Sequence, residues 1–261
     1  MTAPASVRPL RVLATAARAQ VLAVAGNPVT LLTSIAQPVV FYVLVAARHP
    51  ADSGDRAALL VATLLTSLWG ATLWTGGGTL RREIAEGTLA RTLTSTTDPR
   101  LVVLGKCLGG TLLILAGLLT TGTGLALADG ITVPARALPA LLLGSALVAV
   151  SGMAMGYVLA SVFVLTRHAV HVTAALTYPV MIVSGLLIPV SLLPEPLPWF
   201  SLGISLYWAN RFLAAAAGGA DPPLWTLVPL VLLTVVYQLA GHLLFSRVVE
   251  RARADGTVDR E

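Results

Sequence analysis

Charge is scarce in this 261-residue chain: Asp, Glu, Lys and Arg make up 11% of it, where a soluble domain carries about a quarter. With 56% hydrophobic residues and a mean hydropathy of +0.83, that scarcity excludes a water-soluble fold of this size. Cysteine is reduced to Cys107, so no intrachain disulfide can form, and no Cys/His cluster has zinc spacing. Structural metal and redox chemistry are left without residues. Lysine is a single residue, Lys106, against 16 Arg. A phosphate-binding G-x-x-x-x-G-K-[ST] loop is missing too: Gly105 and Lys106 are adjacent, but Arg100 stands at the first Gly and Cys107 at the hydroxyl position. The chain does not hydrolyse ATP by that route. Period-2 alternation of polar and apolar residues is absent, which argues against a transmembrane β-barrel.

What the chain has instead is apolar runs long enough to cross a bilayer, about 20 residues each, along its whole length. The expected fold is all-α and polytopic, a single transmembrane domain over 1–261. Six spans are expected at 29–47, 57–80, 101–128, 138–165, 169–188 and 225–245. Ahead of them, Leu10, Leu13, Ala17, Val21 and Val24 recur at steps of three and four, with Arg8, Arg11 and Arg18 on a separate stripe. That pattern predicts an interfacial amphipathic helix over 8–26. A signal peptide fits less well, because Arg18 interrupts the apolar stretch. Between the last two spans, 189–213 is too apolar for an ordinary loop, while Pro194, Pro196 and Pro198 forbid one continuous helix. Short re-entrant helices on the extracellular side are expected there.

With both termini cytoplasmic, that side holds thirteen of the 17 basic residues, and the other keeps only Arg48, Arg56, Arg136 and Arg211. The bias follows the positive-inside rule, and an even span count agrees with it. It also accounts for the pI near 10.0 without nucleic acid as a partner. The span interiors contain no Asp, Glu, Lys or Arg, which disfavours an ion-coupled secondary transporter. His168, His171 and His242 lie at the cytoplasmic ends of spans and read as interfacial polar residues rather than a proton relay. A lipid-modifying membrane enzyme would need acid, His or nucleophile groups clustered at one membrane face, and no such cluster occurs.

The cytoplasmic segment 81–100 is dense in charge and sets Leu89 and Leu93 four residues apart, as a solvated loop or a docking element for a partner would. Gly105 with Gly109, and Gly152 with Gly156, match small-xxx-small helix packing. Trp69 and Trp74, inside one span, are the candidates for lining a substrate path; aromatic anchoring near an interface is the competing explanation.

Glu86-Gly-Thr-Leu89, then Asp98-Pro99, then Leu104-Gly-Lys106 resemble the ABC-2 family of ABC-exporter permeases. So do Pro179, Ser184-Gly185, Pro189, Leu193-Pro194 and Asn210-Arg211 further on. The chain departs from the family's pattern at Ala90, where an acidic residue is frequent, and at Ser205, where a proline is frequent. The resemblance implies that the segment between the second and third spans is a coupling helix resting on a separate ATPase. Glu83, Glu86, Gly87, Thr88, Leu89 and Arg91 would take that role. It implies an extracellular gate containing Gly185, Pro189, Pro194, Asn210 and Arg211. It further implies two ATPase copies that bind ATP and Mg, a second copy of this permease or a relative, and a bacterial cytoplasmic membrane. The implied cargo is an amphipathic drug, antibiotic, lipid or polysaccharide moved outward, with the drug or antibiotic exporters as the nearest subgroup.

Overall fold

A computed structural model of the chain describes residues 9–47, 53–88, 98–166 and 169–254. Among them every regular element is helical and no strand occurs. The α-helices are α1 (Pro9–Ala25), α2 (Pro28–Ala46), α3 (Ser53–Ala71), α4 (Gly78–Ala85), α5 (Pro99–Ala128), α6 (Leu138–Leu165), α7 (Ala169–Val183), α8 (Leu197–Ser201), α9 (Ser205–Ala217) and α10 (Leu227–Ala254). A π-helical turn, Thr72–Gly76, joins α3 to α4 into one rod, with the Gly77 N–H donating to the Thr72 carbonyl at 3.2 Å.

Among the described residues, four stretches are long and apolar enough to cross a membrane: Asp55–Ala85, Pro99–Ala128, Ala135–Leu165 and Leu224–Arg251. The protein is a multi-pass membrane protein. Of the helices in the two other expected span regions, α2 (Pro28–Ala46) has 19 residues and covers the expected range to within one residue, whereas α7 (Ala169–Val183) has 15. The helix expected over 169–188 stops at Val183, because Gly185 takes φ +76 and closes a Schellman cap. Its N–H donates to the Ile182 carbonyl (3.1 Å) and the Leu186 N–H to the Met181 carbonyl (3.2 Å). Fifteen residues of helix rise about 22 Å, short of the roughly 30 Å hydrocarbon core.

The chain then turns through α8 into α9, whose Ser205, Trp208, Ala209, Phe212, Leu213 and Ala216 are buried at helical spacing. Helix α9 runs antiparallel to α6. Ser205 meets Ser151 hydroxyl to hydroxyl at 2.9 Å, and Phe212 and Leu213 lie over Gly144. Ser205, where the resembling family often has proline, also uses its backbone N–H to reach the Tyr237 hydroxyl at 3.3 Å, a bond proline could not make.

The bundle is closed by small residues. Helix α1 lies along the start of α5, and a Cβ at Gly105 would stand 2.5 Å from the Leu13 carbonyl oxygen and 2.8 Å from the Ala16 Cβ. Most of the apolar stripe on α1 is turned toward that seat, with Ala16, Gln20 and Val24 buried, whereas Leu10 at its free end is exposed. Leu65, Leu68, Ile114, Leu118, Val148, Trp208, Phe212 and Leu230 form the main core, and Leu80, Val103, Tyr157, Phe245 and Val248 a second one. Helix α10 leaves Val228, Val231, Leu232, Val235, Val236, Leu239 and Leu243 exposed, a stripe suited to acyl chains rather than water.

One end of the bundle gathers the start of α5 and the ends of α6 and α10, where Arg100 donates to Ser246 (3.0 Å) and Arg251 to the Leu165 carbonyl (3.3 Å). Leu13 of α1 sits near the same end. This is the proximal end, and the opposite one is distal.

Candidate functional site

At the proximal end the α3–α4 rod leaves the bundle and α5 enters it. Each boundary is written in capping chemistry. The α4 helix stops at Gly87, φ +68, with the Gly87 N–H donating to the Ile84 carbonyl (3.2 Å) and the Thr88 N–H to the Glu83 carbonyl (2.9 Å), a second Schellman cap. A residue with a Cβ would be strained there. Asp98 then caps α5 by accepting from the Arg100 N–H at 2.9 Å, and Pro99 occupies the first turn, where its missing N–H costs nothing.

Behind these caps, Lys106 of α5 donates to Glu83 Oε1 at 2.5 Å. Only 3% of the Glu83 side chain is exposed, and its second oxygen has no partner among the described residues. A carboxylate so buried is retained only if paired, so this bond ties the exit of one span to the entry of the next. Ile84, Glu86, Gly87 and Thr88 face outward beside it. Leu89 and Arg91, also expected at this site, lie outside the described residues.

At the distal end the same two rods are tied again. Arg56 of α3 pairs with Asp129, the C-cap of α5, and the Tyr42 hydroxyl of α2 donates to the other Asp129 oxygen at 2.5 Å. Neither ion pair was expected from the sequence, since each joins residues far apart in the chain. Nearby, a cavity of about 670 Å³ brings together Asp55, Ser184, Gly185, Pro189, Asn210 and Arg211. Pro194 does not line it and instead begins the turn into α8. Arg211 donates to the Tyr207 hydroxyl (3.0 Å), and its guanidinium carbon is 5.2 Å from the Trp225 ring centre and 5.7 Å from that of Tyr207. A cation held between aromatic faces is anchored without an acidic partner.

Between the two ends, the structure separates the two tryptophans expected to share a path. Trp69 is packed with Leu73, Leu159, Phe163 and Met181 in the core, and its indole N–H has no partner among the described residues. Trp74 is 61% exposed and stands in an open cavity of about 380 Å³ between α2, α3, α5 and α7. Residues five apart on a helix point about 140° away from each other, so Trp69 faces the core while Trp74 is exposed among the buried Thr72, Leu73, Thr75 and Gly76. The sequence carries a trace of this polar line in Thr66, Ser67, Thr72, Thr75 and Thr79. Each of their hydroxyls donates to the carbonyl four residues earlier.

Among the described residues no group of three or more His, Cys, Asp or Glu could hold a metal ion. The arrangement offers two open cavities and two ion-paired ends. A family model described as ABC-2 type transporter matches residues 11–217, a range that takes in both ion pairs, both cavities and both Schellman caps. A comparison with curated proteins finds no match.

Proposed function

The chain belongs to the ABC-2 type transporter family and is a transmembrane permease component of an ABC transporter, and on that premise we propose that it serves an exporter, coupled to ATP through the segment after α4. The family is one of transport rather than catalysis, and its permeases work with a nucleotide-binding subunit. Two copies of that subunit bind ATP and Mg, and two permeases, this chain with itself or with a relative, enclose the path. The cargo is an amphipathic drug, antibiotic, lipid or polysaccharide. The proximal end faces the cytoplasm of a bacterial cell, with both termini on that side. The proximity of the start of α1 and the end of α10 supports that orientation, as does the distribution of basic residues.

The observation that carries the coupling role is the Lys106–Glu83 bond beside the Gly87 cap. A push on the segment from Glu86 to Asp98 would be received by two helices already fastened together, so it would move them jointly instead of bending one. Gly185, Pro189, Asn210 and Arg211 take the gate role at the distal cavity, with Pro194 setting the turn below it. Co-expression with the ATPase encoded beside this chain, followed by co-purification and ATP-driven transport in proteoliposomes, tests the assignment. Failure of the ATPase to associate with the intact permease would refute it.

A further inference from the structure

The open cavity at Trp74 carries charge of one sign. Ser34, Gln37, Ser67 and Thr177 supply hydroxyl and amide groups to its wall, and among the described residues Arg82 is the only ionisable one lining it. The Arg82 side chain makes no hydrogen bond or ion pair to another described residue, so its donors are free to meet a ligand. Trp74, exposed within the π-turn, offers a large apolar face in the same space. Eight residues of helix separate the two, about 12 Å of rise. A cationic molecule would face Arg82 with no acidic group among the described wall residues to offset the repulsion. A planar guanidinium is suited to a carboxylate, phosphate or sulfate.

We propose that this cavity binds an amphiphile with an anionic head, the head pairing with Arg82 and the apolar body lying against Trp74. The inference rests on the permease reading and narrows its cargo to anionic amphiphiles. The head belongs either to a phospholipid of the same leaflet or to a free amphiphile entering for transport.

The test uses the full chain in phosphatidylcholine nanodiscs with 11-(dansylamino)undecanoic acid and its methyl ester as probes, read as saturable tryptophan-to-dansyl energy transfer. The acid should bind on the order of tenfold tighter than the ester, the scale of one charge-assisted contact. Arg82→Gln should erase that preference and Arg82→Lys keep most of it, while Trp74→Leu should weaken both probes. A second set of discs contains phosphatidylglycerol. Displacement of the acid there assigns the site to membrane phospholipid, and unchanged binding assigns it to a free amphiphile, the anionic class standing either way. Equal binding of acid and ester, or an acid preference that survives Arg82→Gln, overturns the proposal. Co-purification of the ATPase from the same preparation keeps the two levels apart. A partner that binds alongside a missing acid preference removes only this inference, whereas a partner that does not bind removes the permease reading.

Discussion

Gly76 and Gly156 meet backbone to backbone, so that a Cβ built on Gly76 would stand 2.8 Å from the Gly156 Cα. The contact is one-sided: a Cβ on Gly156 would lie 3.4 Å from the Gly76 Cα, close to ordinary packing. Gly76→Ala should therefore force the π-turn away from α6 and destabilise the protein by about 1 to 3 kcal/mol, the cost of overpacking a rigid contact. Gly156→Ala should cost less than about 1 kcal/mol. Thermal unfolding of the detergent-solubilised variants checks the order, and equal losses would show that the backbones are not in contact.

Lys106→Met leaves the Glu83 carboxylate buried without its partner and should destabilise by about 3 kcal/mol, whereas Glu83→Gln should be milder. The double variant should recover much of the loss, since an amide needs no cation. A double-mutant cycle of thermal stability reads the coupling directly. Additive effects would mean that the two side chains do not interact in the membrane.

Coupling itself is tested one step further along the chain. Leu89→Asp should abolish ATPase co-purification and export, because a charge stranded at a dry contact costs several kcal/mol, of the order of 2 to 5. Arg91→Ala should cost roughly 1 kcal/mol or less, as expected for a solvated charge. Membrane insertion, followed by protease protection, should be normal in both. Wild-type association of Leu89→Asp would place the docking element elsewhere.

Topology makes a separate demand. Reporters fused after Glu261 and between Asp52 and Asp55 should lie on opposite sides of the membrane. Cysteines replacing Glu195 and Asp221 should both label from outside, since α7 ends before crossing and α9 returns to the distal face. Labelling of either from the cytoplasm would add a crossing.

Helical class and multi-pass character were legible in composition alone, because lipid tolerates few backbone solutions. The caps were legible as a resemblance before they had a physical meaning: Gly87 and Gly185 each sit where a helix must stop with positive φ. The helix expected to reach 188 ends at Val183 for that reason, and the stop was already present in Ser184-Gly185. What could not be read were features that depend on where helices meet. Lys106 finds Glu83 across the segment between α4 and α5, and Asp129 finds both Arg56 and Tyr42. Trp69 and Trp74, five residues apart, suggested a shared path, but that spacing sets them about 140° apart around the helix, one in the core and the other in the cavity.

The α3–α4 rod and α5 are latched at both extremities, by Arg56 with Asp129 and by Glu83 with Lys106. Two beams pinned at both ends cannot slide past each other, so any change in length has to be absorbed between the pins. The wide turn at Thr72–Gly76 is the slack in that span. Carrying it wholly past Trp74 would swing that residue by about 100° while both pins held. If the coupling role proposed above holds, a stroke delivered at the proximal pin would emerge at mid-membrane as the rotation of one indole.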